Sequence, residues 1–307
     1  MSPTGRDHRD FLRLTDFTRE ELVAAVERAA EWKLLGKGGP RPLERMTLGL
    51  VFEKASTRTR VSFEVAAYQL GGNAMMLSPR DTQLGRGEPI KDTARVLSRY
   101  LDALVVRTFE HAKLEDMAAH ASVPVVNALT DASHPCQVLA DLLTVTERFG
   151  AGALRGPGLE VAWIGDGNNM ANSWLEACCL LGFSLRLACP EGYDPDQTLL
   201  DRAGGRARLV RSPHEAVRGA QVVNTDVWAS MGQEAEERER QRRFAGFTVD
   251  RALLASADPQ AIVMHCLPAH RGEEIADDVI EGPQSVVFDQ AENRLHAQKA
   301  LLELLLS

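Results

Sequence analysis

The sequence predicts an α/β protein of two doubly wound domains, each with a central parallel sheet flanked by helices, and three observations carry that prediction. Apolar runs of strand length alternate with helix-period stretches along almost the whole chain, the pattern of parallel strands joined by covering helices. At 307 residues the chain exceeds the size at which one hydrophobic core divides. The alternation halts at Gly150-Ala151-Gly152 and Gly156-Pro157-Gly158, then restarts.

The elements follow in order. Thr18-Arg19-Glu20-Glu21 has the Thr-x-x-Glu form of a capping box and opens a helix whose apolar side runs from Leu22 to Leu34. Leu48 to Val51 is a strand, and Val61 to Leu70 a helix that stops at Gly71-Gly72. Strands follow at Ala74–Leu77, Ala103–Arg107 and Val123–Ala128, with helices at Ile90–Leu101 and Lys113–His120; Ser78 to Glu88 reads as a mobile loop. A helix from His134-Pro135 to Phe149 is the expected hinge. Beyond it, strands are expected near Glu160–Ile164, Ser184–Ala188, Arg208–Val210, Val222–Thr225, Ile262–His265 and Val286–Phe288. Glu234 to Arg243 mixes both charges densely and reads as a solvated surface helix. The expected domains are residues 1–140 and 141–290, with a leucine-rich helix over 291–307 packing back on the first.

Composition narrows the function. Hydrophobic content of 44% with 25% charged residues is that of a globular protein, and no segment approaches the roughly 18 uninterrupted apolar residues of a membrane span. Met1 to Asp10 is polar and lacks an apolar leader core, so a cytoplasmic location is expected. A formal charge of −8 argues against bulk nucleic-acid binding, so an anion site has to be built locally. The five cysteines form no Cys-x-x-Cys pair, which indicates neither a disulfide framework nor a zinc ribbon; Cys178 and Cys179 fall in an apolar helical pattern and read as packing residues.

Polar corners follow the strands. In Ser56-Thr57-Arg58-Thr59-Arg60 the first helical N–H groups, three hydroxyls and two guanidinium forks suit a phosphate; the plainer alternative is a helix cap with solvated arginines. Arg107 ends a parallel strand, the edge at which such sheets bind ligands. His134-Pro135-Cys136-Gln137 places a His able to donate to an oxyanion, and an amide, at a second helix start.

Gly165-Asp166-Gly167-Asn168-Asn169-Met170 has Gly-x-Gly, but Met170 replaces the third glycine, which rejects a dinucleotide; its two amides suit an amino-acid carboxylate. No phosphate-binding Gly-x-x-x-x-Gly-Lys run exists. Asp226-Val227-Trp228-Ala229-Ser230-Met231-Gly232 offers a carboxylate for a substrate ammonium, or a helix cap. His265-Cys266-Leu267-Pro268 sets a thiol beside an imidazole after a buried-type strand, with no second Cys/His pair to support a metal. Together the corners describe one active site in the cleft between the domains.

These motifs, in this order and over nearly the whole chain, resemble the transcarbamylase family, and within it the ornithine carbamoyltransferases. The resemblance implies transfer of a carbamoyl group from carbamoyl phosphate to the side-chain amine of L-ornithine, giving citrulline and phosphate, in arginine biosynthesis or catabolism. It implies that Ser56, Thr57, Arg58 and Thr59 hold the phosphate and that Arg107 and His134 polarise the carbonyl. Gln137 and the Cys266-Leu267 backbone would take the carbamoyl amino group, and Arg294 would also meet carbamoyl phosphate.

Gln83 resembles the glutamine that reaches a neighbouring subunit's site, implying a homotrimer with shared active sites. For ornithine the matching positions are Asn169, with Asn168, then Asp226, Ser230 and Met231; Arg60 serves structure. Asp226 and Cys266 are the expected pair that orients the amine or accepts its proton. No metal or organic cofactor is expected, since positioning and charge stabilisation suffice. Sibling enzymes acting on putrescine, N-acetylornithine or aspartate, and a non-catalytic anion-binding subunit of the same fold, are the competing readings.

Overall fold

The computed structural model describes residues 8–78, 87–229 and 236–307. The expected loop at 78–88, with Gln83, and the segment carrying Ser230, Met231 and Gly232 therefore lie largely outside the described residues. Two compact units divide the chain, residues 1–140 with 293–307, and residues 141–292.

In the first unit α1 (Arg19–Leu35) leads into β1 (Thr47–Phe52), α2 (Thr57–Gln69), β2 (Asn73–Leu77), α3 (Ile90–Leu97), β3 (Ala103–Arg107), α4 (His111–His120) and β4 (Val125–Leu129). The box at the start of α1 forms as its sequence requires: Glu21 N–H donates to Thr18 Oγ1, and Thr18 N–H to the Glu21 carboxylate. The sheet is parallel in the order β2-β1-β3-β4. Its inner strands are apolar runs because both faces are covered: β3 is buried along its whole length, whereas the edge strand β2 is not.

The chain crosses to the second unit within α5 (Pro135–Phe149). There β5 (Glu160–Ile164), α6 (Asn169–Leu181), β6 (Ser184–Ala188), α7 (Gln197–Ala203), β7 (Ala207–Val210), α8 (Pro213–Val217), β8 (Val222–Thr225), α9 (Glu237–Arg243), α10 (Arg251–Leu254), β9 (Ile262–His265) and α11 (Asp277–Ile280) follow. The parallel order is β7-β6-β5-β8-β9. One core cluster joins Ile164, Val223 and Val263 of the sheet to Trp228, Phe244 and Phe247.

The chain returns to the first unit within α12 (Val287–Leu306). Glu303 accepts from Arg28 Nε at 2.6 Å and Trp32 Nε1 at 2.7 Å, and the buried Lys299 ammonium donates to Gly36 O and Gln69 Oε1 while lying 4.4 Å from the Trp32 ring centroid. Among the described residues no helix is long and apolar enough to cross a membrane.

Two expectations fail. Val286–Phe288 is not a strand: only Ser285 bridges to Val263, and Val287 opens α12, with Gln290 N–H already bonded to Val286 O. Phe288 is 60% exposed there, whereas Asp289 in the first helical turn suits the positive end of the helix. The charged helix α9 is not wholly solvated either, because Arg240 is only 6% exposed.

Candidate active site

In a doubly wound sheet, ligands bind off the carboxyl ends of the strands where the strand order reverses. In the first unit that point lies between β1 and β3, whose last residues Phe52 and Arg107 are register partners. In the second it lies between β5 and β8, where Ile164 pairs with Thr225. The corners after these strands are Ser56 to Arg60, Arg107, Gly165 to Asn169 and Asp226.

At the first point Ser56 caps α2, its Oγ accepting from Thr59 N–H at 3.2 Å. The capping alternative is thus true of Ser56, and the rest of the corner decides what else it does. Thr59 is fully buried, and its Oγ1 accepts from Arg294 Nη2 at 2.6 Å. Arg58 Nε is buried without a hydrogen-bond partner among the described residues, while Thr57 is exposed. Arg60 pairs with Glu64 one turn on at 2.9 Å, a helix-surface contact that leaves it outside the seat.

Arg107, His134, Gln137 and Arg294 are all buried. Burial first, then the positive charges of Arg294 and Arg107, hold the His134 imidazole well below its ordinary pKa. The imidazole is therefore neutral and carries one N–H. The turn before it is fixed by Asn127, whose Nδ2 donates to Leu12 O and Ser133 Oγ, so that Pro135 and Gln137 begin α5 at the ends of β3 and β4. Cys136, by contrast, has its thiol pushed up to about 12 by burial and donates to Asn127 O, which makes it a packing residue.

The second set is a hydrogen-bonded network. Asn168 caps α6, its Oδ1 accepting from Met170 and Ala171 N–H, and its Nδ2 donates to Asp226 Oδ2 at 3.0 Å. Cys266 Sγ donates to the other oxygen, Asp226 Oδ1, also at 3.0 Å. Asn169 takes the first helical position of α6. The turn bearing these amides demands glycine: Gly165 has φ +132°, and a Cβ on Gly167 would stand 2.2 Å from Pro195 N.

Leu267 has φ +59°, a left-handed conformation that costs a leucine about 1 kcal/mol. It is held there by its own N–H, which donates to His265 Nδ1 at 2.9 Å. That bond leaves the proton on His265 Nε2, which donates to the buried Glu274 carboxylate at 3.1 Å. His265 N–H in turn donates to Gln290 Oε1, and Gln290 Nε2 to Asp141 Oδ1. Asp226, His265 and Cys266 present metal-type donor atoms within 4.8 Å of one another, but both imidazole nitrogens are already committed.

Sequence reasoning missed Glu274, Gln290 and Asp141, and it also missed Lys54, 5% exposed, whose ammonium pairs with Asp131 and lies 4.1 Å from the Phe109 ring centroid. Gln290 meets Asp141 and Lys54 meets Asp131 across long stretches of chain, so periodicity carried no signal for them; Glu274 meets the nearby His265 and His270, but in an irregular turn where no period applies.

A four-stranded and a five-stranded parallel sheet, the first carrying a cationic corner and the second an acid, amide and thiol network, define a two-domain α/β enzyme of the group-transfer kind. Residues 9–147 match the carbamoyl-P binding domain of aspartate/ornithine carbamoyltransferase, and residues 157–305 match its Asp/Orn binding domain.

An ornithine carbamoyltransferase from Pelobacter propionicus is 55% identical over 97% of this chain and 98% of its own length. An anabolic ornithine carbamoyltransferase from Pseudomonas aeruginosa is 56% identical over 97% of each. Among solved structures, ornithine carbamoyltransferase from Pyrococcus furiosus superposes with a TM-score of 0.92 at 51% identity, covering 97% of each chain, and that from Thermus thermophilus with 0.89 at 45%, covering 97% and 99%. The chain belongs to the aspartate/ornithine carbamoyltransferase family.

Proposed function

We propose that the protein transfers the carbamoyl group of carbamoyl phosphate to the side-chain amine of L-ornithine, releasing citrulline and phosphate. The observation that carries this reading is the buried group of His134, Arg107 and Arg294, the last bonded to Thr59 in the first turn of α2. The first helical N–H groups, Ser56, Thr57 and Arg58 receive the phosphate, and phosphate leaves into the same positive field. Arg107, His134 and Thr59 stabilise the oxyanion that forms when the amine attacks the carbonyl carbon, and Gln137 and the Cys266-Leu267 backbone take the carbamoyl amino group.

Ornithine arrives as an ammonium and must lose a proton before attack. Asp226 and Cys266, hydrogen-bonded to each other, orient the amine and receive that proton. Because Asn168 is engaged as cap and as donor to Asp226, Asn169 is the residue assigned to the ornithine carboxylate, with Ser230 and Met231 completing the pocket. Positioning and charge supply the catalysis, with no cofactor in the scheme. We further assign the protein to the cytoplasm, as a homotrimer in which Gln83 reaches a neighbouring subunit's site.

The test is citrulline formation from carbamoyl phosphate with L-ornithine, beside putrescine, N-acetylornithine and aspartate as acceptors. Preference for ornithine is the expected result. Turnover only with another acceptor would replace the substrate, and saturable carbamoyl-phosphate binding without any turnover would replace the enzyme reading with that of an anion-binding subunit.

A further inference from the structure

The dense charge run of α9 buries one of its arginines. Arg240 Nη1 donates to Asp166 Oδ2 at 2.7 Å and to Trp228 O at 2.7 Å, its Nε donates to Glu236 at 3.1 Å, and the guanidinium lies 5.0 Å from the Tyr193 ring centroid. Asp166 is itself 8% exposed. Phe244, one turn along the same face of the helix, stacks on Trp228 and meets Tyr193 edge-on.

The positions of the two tied groups give this contact its meaning. Asp166 stands two residues before Asn168 in the turn after β5, and Trp228 stands two residues after Asp226 in the turn after β8. One guanidinium nitrogen thus bridges the two turns that carry the amides and the acid, which the Asn168 to Asp226 hydrogen bond also joins. The negative charge of Asp226 also acts on Asp166, and the Arg240 guanidinium bonded to Asp166 opposes that repulsion.

We infer that Arg240 is a positioning residue for acceptor selection: by pairing with Asp166 and binding the Trp228 carbonyl it sets the spacing between the Asn168-Asn169 turn and Asp226, and so the length of diamino acid that fits. This rests on the function proposed above, in which those two turns hold opposite ends of ornithine. A charge-assisted contact shared by two acceptors fixes separation more firmly than two independent surface contacts would. Trp163 Nε1, bonded to Asp166 O at 2.9 Å, holds the same turn from the sheet side.

The test is steady-state kinetics of Arg240→Gln, Arg240→Lys, Asp166→Asn and the Arg240→Gln/Asp166→Asn double variant, with L-ornithine, L-lysine and L-2,4-diaminobutyrate as acceptors. Arg240→Gln is expected to raise the KM for L-ornithine by about tenfold or more, as loosened positioning does, and to flatten the preference for ornithine over its shorter and longer homologues. The KM for carbamoyl phosphate stays within about twofold, and Arg240→Lys, which keeps the charge, recovers part of the loss.

In the double variant the two losses fall short of their product, because both substitutions break one contact. If Arg240→Gln does not fold, the near-isosteric Asp166→Asn carries the same comparison. Equal changes in both KM values, or an unaltered acceptor preference in a folded variant, would overturn the inference. A wild-type chain that forms no citrulline would overturn the function instead.

Discussion

Cys266 Sγ stands 3.0 Å from Asp226 Oδ1 because Thr225 and His265, the residues just before them, are register partners on adjacent parallel strands. A thiol and a carboxylate from positions forty apart become one unit at the sheet's carboxyl edge. Substituting Cys266 with Ala removes the donor to Asp226 and is expected to lower kcat/KM for ornithine by on the order of 10²-fold and to change its pH dependence, with carbamoyl-phosphate binding retained. Rate against pH checks this, and an unchanged profile would remove the thiol from proton handling.

Ser56 caps α2 and is proposed to hold phosphate, and one pair of variants separates the two. Ser56→Ala removes the cap from Thr59 N–H and should cost about 1 kcal/mol of stability in denaturant unfolding. Ser56→Asp keeps a good cap but sets a carboxylate where the phosphate belongs. It is expected to hold near wild-type stability and to lose carbamoyl-phosphate binding, measured by calorimetric titration.

Gln290 joins Asp141 to the His265 backbone through buried contacts of 2.7 and 2.9 Å. Gln290→Leu removes both and strands polar groups in the interior, so a loss of about 2 kcal/mol is expected. Chemical denaturation gives the stability, and a raised KM in the folded fraction would show that the Cys266-Leu267 turn shifts with it.

His111 supplies a pH signature of stability. Burial, and then the charge of Arg13, lower its pKa from 6.5 to about 4. Between those values the unfolded chain binds a proton that the native protein does not, so stability is intact above 6.5 and falls as the pH drops toward 4. His111→Gln should flatten that part of the curve of melting temperature against pH.

The placement of the candidate site's corners was legible in the chain because each corner is local. A strand, a polar turn and a helix start lie within about ten residues, and the physics of an unsatisfied helix N-terminus operates at that range. The Ser56 to Thr59 corner, Arg107, and the start of α5 at Pro135 all stand at strand or helix ends as expected. Val286 to Phe288 was misread for a related reason: three apolar residues fit a strand or a helix start equally, and what settles the matter is the exposure of Phe288 and the single bridge at Ser285.

The sequence by itself determined the alternation of elements, the two parallel sheets and the chemistry placed at their carboxyl edges, because side-chain period and terminal hydrogen-bond donors are properties of neighbours in the chain. Only the tertiary structure decided which charges leave water. Arg240 is one of several arginines in a run that periodicity reads as solvated, and its burial follows from Asp166, which lies 74 positions away. The same holds for Lys54 and Lys299, each kept inside by distant partners. Burying a charge costs several kcal/mol unless a partner meets it, and that partner is supplied by the fold.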